Sequence, residues 1–193
     1  MKRKCSLRFN THSPLLTGTH AFLGASSYHW INYSEDKLDF AYNAHMAARR
    51  GTELHEFARQ AIRLRQRLPD TPTTMNLYVN DAIGFHMVPE QLLYYSPNCY
   101  GTADTISFRN NKLRIHDLKT GITKTSEKQL YVYSALFCLE YEYKPFEIET
   151  ELRIYQNDEV RIHEGEPEFI ASIMETIVAF DKRIKALQQD LDS

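Results

Sequence analysis

Gly101-Thr102-Ala103-Asp104, then His116-Asp117-Leu118-Lys119-Thr120-Gly121, then Gln129-Leu130-Tyr131-Val132-Tyr133 form the stretch on which the fold turns. Thr102 to Arg109 and Leu113 to Lys119 read as strands. They are joined through Asn110-Asn111-Lys112, residues suited to the positive φ angles of a tight hairpin. Asp104 then lies near the start of one strand, and Asp117 and Lys119 near the end of its antiparallel neighbour. Antiparallel pairing brings those ends together about 4.8 Å apart, and the two-residue period of a strand puts Asp117 and Lys119 on one face.

Working outward, Glu90 to Tyr95 reads as a further strand, giving a three-strand meander. Ser126 with Gln129 three residues later has the spacing of a capping box. Leu130, Ser134, Phe137 and Tyr141 follow at helical spacing, so a helix is expected from about Glu127 to Glu142. Ile148, Thr150, Leu152 and Ile154 alternate with acids and Arg153 as in a half-buried strand with an acidic exposed face. An Asn157-Asp158 turn and a short strand from Glu159 to His163 come next. Upstream, Ser34 before Glu35 and Asp36 marks a helix start, a second amphipathic helix runs from near Gly51 to before Pro69, and Met75 to Ile83 has the spacing of a short helix.

The chain closes with a helix entered at Pro167, carrying Ile170, Ile173, Ile177, Phe180, Ile184, Leu187 and Leu191 at alternating steps of three and four. That seam can cover the sheet, the favoured reading, or pair with a second subunit as a homo-oligomer. The expected architecture is one domain over residues 1–193: an α/β (α+β, mixed-sheet) core of order αβββαβ at about 51–156, an N-terminal helical extension, and a long helix at about 167–191.

With 193 residues, 42% of them hydrophobic and 25% charged, the chain can bury one core and has no low-complexity tail. Cys5, Cys99 and Cys138 are odd in number and far apart, which argues for reduced thiols and against a disulfide framework or a close-spaced zinc site. Met1-Lys2-Arg3-Lys4 is followed by polar residues rather than an apolar signal region, and no apolar run is long enough for a membrane span, so the expectation is a cytoplasmic chain without a membrane partner. A net charge of -2 argues against coating of nucleic acid by bulk attraction and leaves a DNA enzyme open. Local basic clusters remain at Lys2, Arg3, Lys4 and Arg8, at Arg49 and Arg50, at Arg59, Arg63, Arg65 and Arg67, and at Lys119, Lys124 and Lys128; the helical arginines read as a solvated face.

Taken singly, Asp104, Asp117, Lys119 and His55 each have an ordinary structural explanation as turn, strand-end, surface and core residues. Their joint placement at one sheet edge is different. Two carboxylates are hard oxygen ligands for Mg²⁺ or Mn²⁺, and a lysine beside them offsets charge on a phosphoryl group, which is the chemistry of phosphodiester hydrolysis.

The order of elements, with Gly51-x-x-x-His55, Glu90, Gly101-x-x-Asp104, Asp117-x-Lys119 and Gln129-x-x-x-Tyr133, resembles the RecB-like branch of the PD-(D/E)XK nuclease superfamily over about half the chain. The segment from Ala21 to Trp30 also resembles the serine-containing opening of phage-encoded members. The resemblance implies that His55, Asp104, Asp117 and the backbone carbonyl of Leu118 hold Mg²⁺ or Mn²⁺. It implies that Lys119 acts on the attacking water and the phosphoryl charge, and that Gln129 and Tyr133 reach toward the metal site or the DNA strand. For Tyr133, packing and capping weigh almost as much. Glu90 and Glu53 are more distant candidate helpers. Branch members with an iron-sulfur cluster carry four cysteines, so none is expected in this chain. The implied activity is a DNA exonuclease acting on duplex ends in phage recombination or DNA processing, in the host cytoplasm, alongside a single-strand annealing protein or other recombination partner. An endonuclease with structure or sequence preference, and a catalytically silent binding module on the same fold, are the alternatives.

Overall fold

The computed structural model describes residues 21–191. The chain divides into two compact units, residues up to Arg49 and residues from Arg50 onward. In the first, Ala25–Asn32 is a 3-10 segment in which the Trp30 indole N–H donates to the Gly24 carbonyl at 3.0 Å. Cys5 and the basic residues Lys2, Arg3, Lys4 and Arg8 lie outside the described residues.

Where the sequence suggests two helices, the structure has one, α1, Glu35–Arg63. Ser34 begins it as expected, its Oγ accepting from the Lys37 N–H at 3.3 Å. Between the two expected pieces lie Ala44, Ala47, Ala48, Arg49 and Arg50, all good helix formers, and no proline; the lone Gly51 costs about 1 kcal/mol against alanine and does not break the ladder. α2 spans Thr74–Gly84.

The sheet is five-stranded and mixed, in the order β1 (Val88–Ser96), β2 (Cys99–Arg109), β3 (Lys112–Leu118), β4 (Glu149–Gln156), β5 (Glu159–Glu164). Asn110 and Asn111 turn β2 into β3 with φ of 52° and 57°, and Asn157 and Asp158 turn β4 into β5 with 54° and 59°. These left-handed angles are the ones two-residue hairpins demand. β3 and β4 pair in parallel, the other neighbours antiparallel. A parallel pair needs a crossover, which here contains helix α3, Lys128–Glu140. The protein is thus α+β with a five-stranded mixed sheet.

Apolar residues on the sheet meet two helical layers. Leu93, Ala103, Leu113, Ile115, Leu152 and Ile154 form one cluster with Leu130, Ala135 and Leu136 of α3. Leu118, Tyr155 and Met87 form another with Ala58, Ala61 and Ile62 of α1 and Tyr78, Val79 and Ala82 of α2. Truncating one of the fully buried leucines to alanine costs about 2 to 5 kcal/mol at such sites.

α4 (Pro167–Leu191) packs on α3 rather than directly over the sheet. Its seam is used unevenly: Ile170 and Ile177 are buried, whereas Phe180 is 66% exposed and Ile184 and Leu187 are also open. Among the described residues, no helix is long and apolar enough to cross a membrane. The acidic face expected on β4 is only partly solvated, because Glu151 pairs with Lys112, Arg114 and Arg153.

Candidate active site

The antiparallel register of β2 and β3 pairs Thr105 with His116, so one step further Asp104 stands opposite Asp117. Asp104 Oδ2 accepts from the Leu118 backbone N–H at 2.9 Å and lies 3.6 Å from His55 Nδ1. His55 comes from α1, which reaches the sheet through its buried Gly51, Ala58, Ala61 and Ile62. A methyl group on Gly51 would fall 2.8 Å from Thr120 Oγ1, so the missing side chain lets the helix approach the strand end that carries Lys119. The resemblance assigns Leu118 through its carbonyl; the contact made toward Asp104 is through its N–H.

Asp117 is buried at the end of β3. Its Oδ1 accepts from Lys119 Nζ at 3.0 Å, while its Oδ2 has no hydrogen-bond partner. Lys119 follows the last residue of β3, its N–H donating to the Tyr155 carbonyl at 2.9 Å. The ammonium also donates to Gln129 Oε1 at 3.1 Å, and Gln129 Nε2 donates to Tyr133 Oη at 2.8 Å. A polar chain therefore runs from Asp117 through Lys119 and Gln129 to Tyr133.

This wiring corrects the expected capping box. Glu127 occupies the N-cap with no side-chain cap bond, and Ser126 Oγ accepts from the Lys128 N–H at 3.2 Å. Gln129 is engaged by the lysine and the tyrosine instead of reaching back to the helix start, because an ammonium is a stronger partner than an exposed amide. Tyr133 packs as well as bonds: a methyl group on Gly101 would stand 3.0 Å from its ring, so the glycine admits the ring against β2.

Both carboxyl groups are held above their ordinary value. Burial raises Asp104 from 3.8 to about 6, with the Asp117 charge adding to it and Leu118 N–H, His55 and Lys119 opposing. Burial also raises Asp117, against the pull of Lys119, His55 and Arg161. Two acids facing each other with incomplete compensation are a site that a cation would relieve.

Glu90, half-expected as a helper, is exposed, and the pairings of Pro89 with Thr105 and Gln91 with Ala103 set it level with Asp104 on the neighbouring strand. Its φ of 54° costs about 1 kcal/mol for a residue with a side chain. Such an outlier is commoner at functional sites than elsewhere. Glu53 is exposed on α1. Two further residues bear on the site and belong to no spacing pattern in the sequence: Tyr78, buried under it, whose hydroxyl is raised well above its ordinary value by burial and then by the charge of Asp104, and Arg161, which acts on Asp117 from β5.

Among the described residues, no three His, Cys, Asp or Glu side chains close into a preformed metal cage. The donor set nevertheless fits a hard divalent ion: two opposed carboxylates, one with an orphaned buried oxygen, and a nearby ring nitrogen. Mg²⁺ is typically bound through one or two carboxylates with water and substrate oxygens completing its shell. Comparison with known proteins found no matching family model, no matching curated protein and no matching solved structure.

Proposed function

We propose that the chain is a metal-dependent DNA nuclease of the PD-(D/E)XK type, acting as an exonuclease on duplex ends. The observation that carries this reading is the opposition of Asp104 and Asp117, both held above their usual range, with the Lys119 ammonium 3.0 Å from Asp117. The passage from α1 through the three-strand meander to α3 and β4 supports it, as does the joining of Gln129 and Tyr133 to the same cluster. The choice of duplex ends rests on the likeness of the motifs to phage exonucleases.

Asp104 and Asp117 would hold Mg²⁺ or Mn²⁺, with His55 at the rim. When bound, the ion supplies charge stabilisation for the phosphoryl transition state and acidifies water. Lys119 stands where it can orient a water molecule and offset the charge that builds on the phosphate oxygens. In the hydrolysis, water oxygen bonds to phosphorus, the ester P–O bond breaks, and the leaving oxygen takes up a proton. Gln129 holds the lysine through a second hydrogen bond beside the one to Asp117, with Tyr133 holding Gln129 in turn.

The test is cleavage of end-labelled linear duplex beside covalently closed circular DNA with Mn²⁺, Mg²⁺ or EDTA, using the wild-type chain, Asp117→Ala and Lys119→Ala. Metal-dependent shortening of the linear substrate alone, lost in both variants, is expected. Cleavage of the circle would replace the exonuclease with an endonuclease on the same site. Inertness toward both by a folded protein that binds Mn²⁺ would favour the silent binding module.

A further inference from the structure

Lys119 and Gln129 hold hands across 3.1 Å, so residues 120–128 form a closed excursion with both feet in the candidate site. β4, β5 and the turn between them grip this loop by its carbonyl groups. Gln156, only 4% exposed, donates both amide hydrogens to it, to the Gly121 carbonyl at 2.6 Å and the Thr123 carbonyl at 2.8 Å. Asn157 Nδ2 donates to the Ile122 carbonyl at 3.2 Å, and Arg161 donates to the Thr125 carbonyl at 2.9 Å. With four carbonyls turned toward the body of the protein, the Ile122 side chain stands 86% exposed, more than any other large apolar residue described.

A buried glutamine with both amide hydrogens on loop carbonyls, its Oε1 accepting from Arg161 at 3.3 Å, fixes the backbone beneath an apolar side chain that stands open to solvent. Ile122 is three residues from Lys119, at most about 10 Å of extended chain, and successive nucleotides of one strand of a duplex are about 3.4 Å apart along the axis. With the two side chains adding several ångströms at either end, the loop tip stays within a few nucleotides of a phosphate held at Lys119. Isoleucine is among the side chains that wedge between base steps and unstack them, and the exposed Lys124 and Lys128 near it suit the flanking phosphates.

Resting on the nuclease reading above, we infer that loop 120–128 is a rigid strand-separating element. Ile122 inserts at the terminal base pairs of a duplex end, so that one strand passes to Asp104, Asp117 and Lys119 unpaired. Ile122 shapes the substrate and takes no part in the bond-breaking step.

The experiment compares wild type, Ile122→Ser and Ile122→Leu on one labelled strand presented three ways: single-stranded, fully paired, and paired except for three mismatched terminal positions. Ile122→Ser is expected to slow the fully paired substrate by tenfold or more. The single-stranded and frayed forms should stay within about twofold, and Ile122→Leu should restore the paired rate. Equal loss on all three substrates, or no loss on any, would overturn the wedge while leaving the nuclease intact. A wild-type chain inert toward all three would refute the nuclease reading and the wedge with it. A second readout uses 2-aminopurine at the terminal pair with Asp117→Asn as the cleavage-silent background. Its fluorescence should rise on binding and fail to rise when Ile122→Ser is added; a rise in both would count against Ile122.

Discussion

Lys119 Nζ stands 3.0 Å from Asp117 Oδ1, while Asp117 Oδ2, on the same buried carboxyl group, has no hydrogen-bond partner among the described residues. Half of the acid is compensated and half is left open. Removing the ammonium as Lys119→Met should expose the cost of the remainder. We expect a loss of about 1 to 3 kcal/mol in urea unfolding at pH 8. The loss should shrink toward pH 4, where Asp117, already held above its usual range, takes up a proton. Cleavage should fall by about 10³, the scale for removing one preorganised charge partner. A pH-independent loss of stability would assign the effect to the lost Gln129 bond rather than to the pairing with Asp117.

Asp104 has the opposite sign to a stabilising carboxylate. Its folded value of about 6 lies above the ordinary 3.8. The folded chain therefore binds the extra proton between those values, and this group's contribution is fully present below about pH 4 and lost as pH rises through 6. The difference corresponds to about 3 kcal/mol at neutral pH. Asp104→Asn should accordingly raise the metal-free melting temperature at pH 7.5 and leave it little changed at pH 4. The same variant should lose most of the stabilisation that Mn²⁺ gives the wild type. Thermal melts with EDTA and with Mn²⁺ at both pH values decide it; an unchanged Mn²⁺ response would remove Asp104 from the metal set.

Gly51 and Thr120 make a steric pair. Alanine in mid-helix is worth about 1 kcal/mol over glycine, but at position 51 its methyl would meet Thr120 Oγ1 at 2.8 Å. Gly51→Ala should therefore gain the full amount only when Thr120→Ala clears the space, a coupling visible in a double-mutant cycle. On its own it should reduce cleavage, because Thr120 adjoins Lys119. Gly121→Ala, whose added methyl meets nothing within 4 Å, is the control and should be neutral. Additive effects of Gly51→Ala and Thr120→Ala would refute the contact.

Asp181 pins α4 to the β1–β2 turn. Its Oδ1 accepts from Ser96 Oγ at 2.7 Å and Asn98 Nδ2 at 3.0 Å, and its Oδ2 pairs with Lys185 at 2.6 Å. Those partners, Lys185 first, hold its carboxyl down to about 2. The sign here is the usual one: stability present above the ordinary 3.8 and lost as pH falls toward 2. Asp181→Asn should melt earlier than wild type at pH 7, and the gap should close by pH 2 to 3. A gap that persists in acid would assign the effect to the Ser96 and Asn98 bonds alone.

Local pattern and local chemistry carried a good share of the fold. Strands β1 to β5, the Asn110-Asn111 and Asn157-Asp158 turns, α3 and the long α4 all follow from residue period and turn residues, quantities a sequence holds within a few positions. The meeting of Asp104 with Asp117 and Lys119 was legible too, because a meander with a short hairpin leaves one choice for which strand ends meet; Gln129 and Tyr133, on α3, were expected there only through the family resemblance. The break placed between two helices before Gly51 was not correct: one weak helix former among alanines and arginines does not end a helix. The Ser126–Gln129 spacing suits a capping box, but spacing alone cannot tell a cap from a bond to a lysine ten residues earlier.

What the sequence by itself determined was which groups share a strand, a turn or a helix face, since those relations depend only on the 2.0 and 3.6 residue periods. The tertiary structure alone decided the rest. It set how deeply the two acids are buried and hence the direction of their proton affinities, and it left one oxygen of Asp117 without a partner. It used only the first part of the α4 seam against α3. It also placed Gln156, Asn157 and Arg161 against the carbonyls of Gly121 to Thr125, more than thirty residues away in sequence. Burial, desolvation and contacts between distant segments are properties of the packed chain, and no periodicity encodes them.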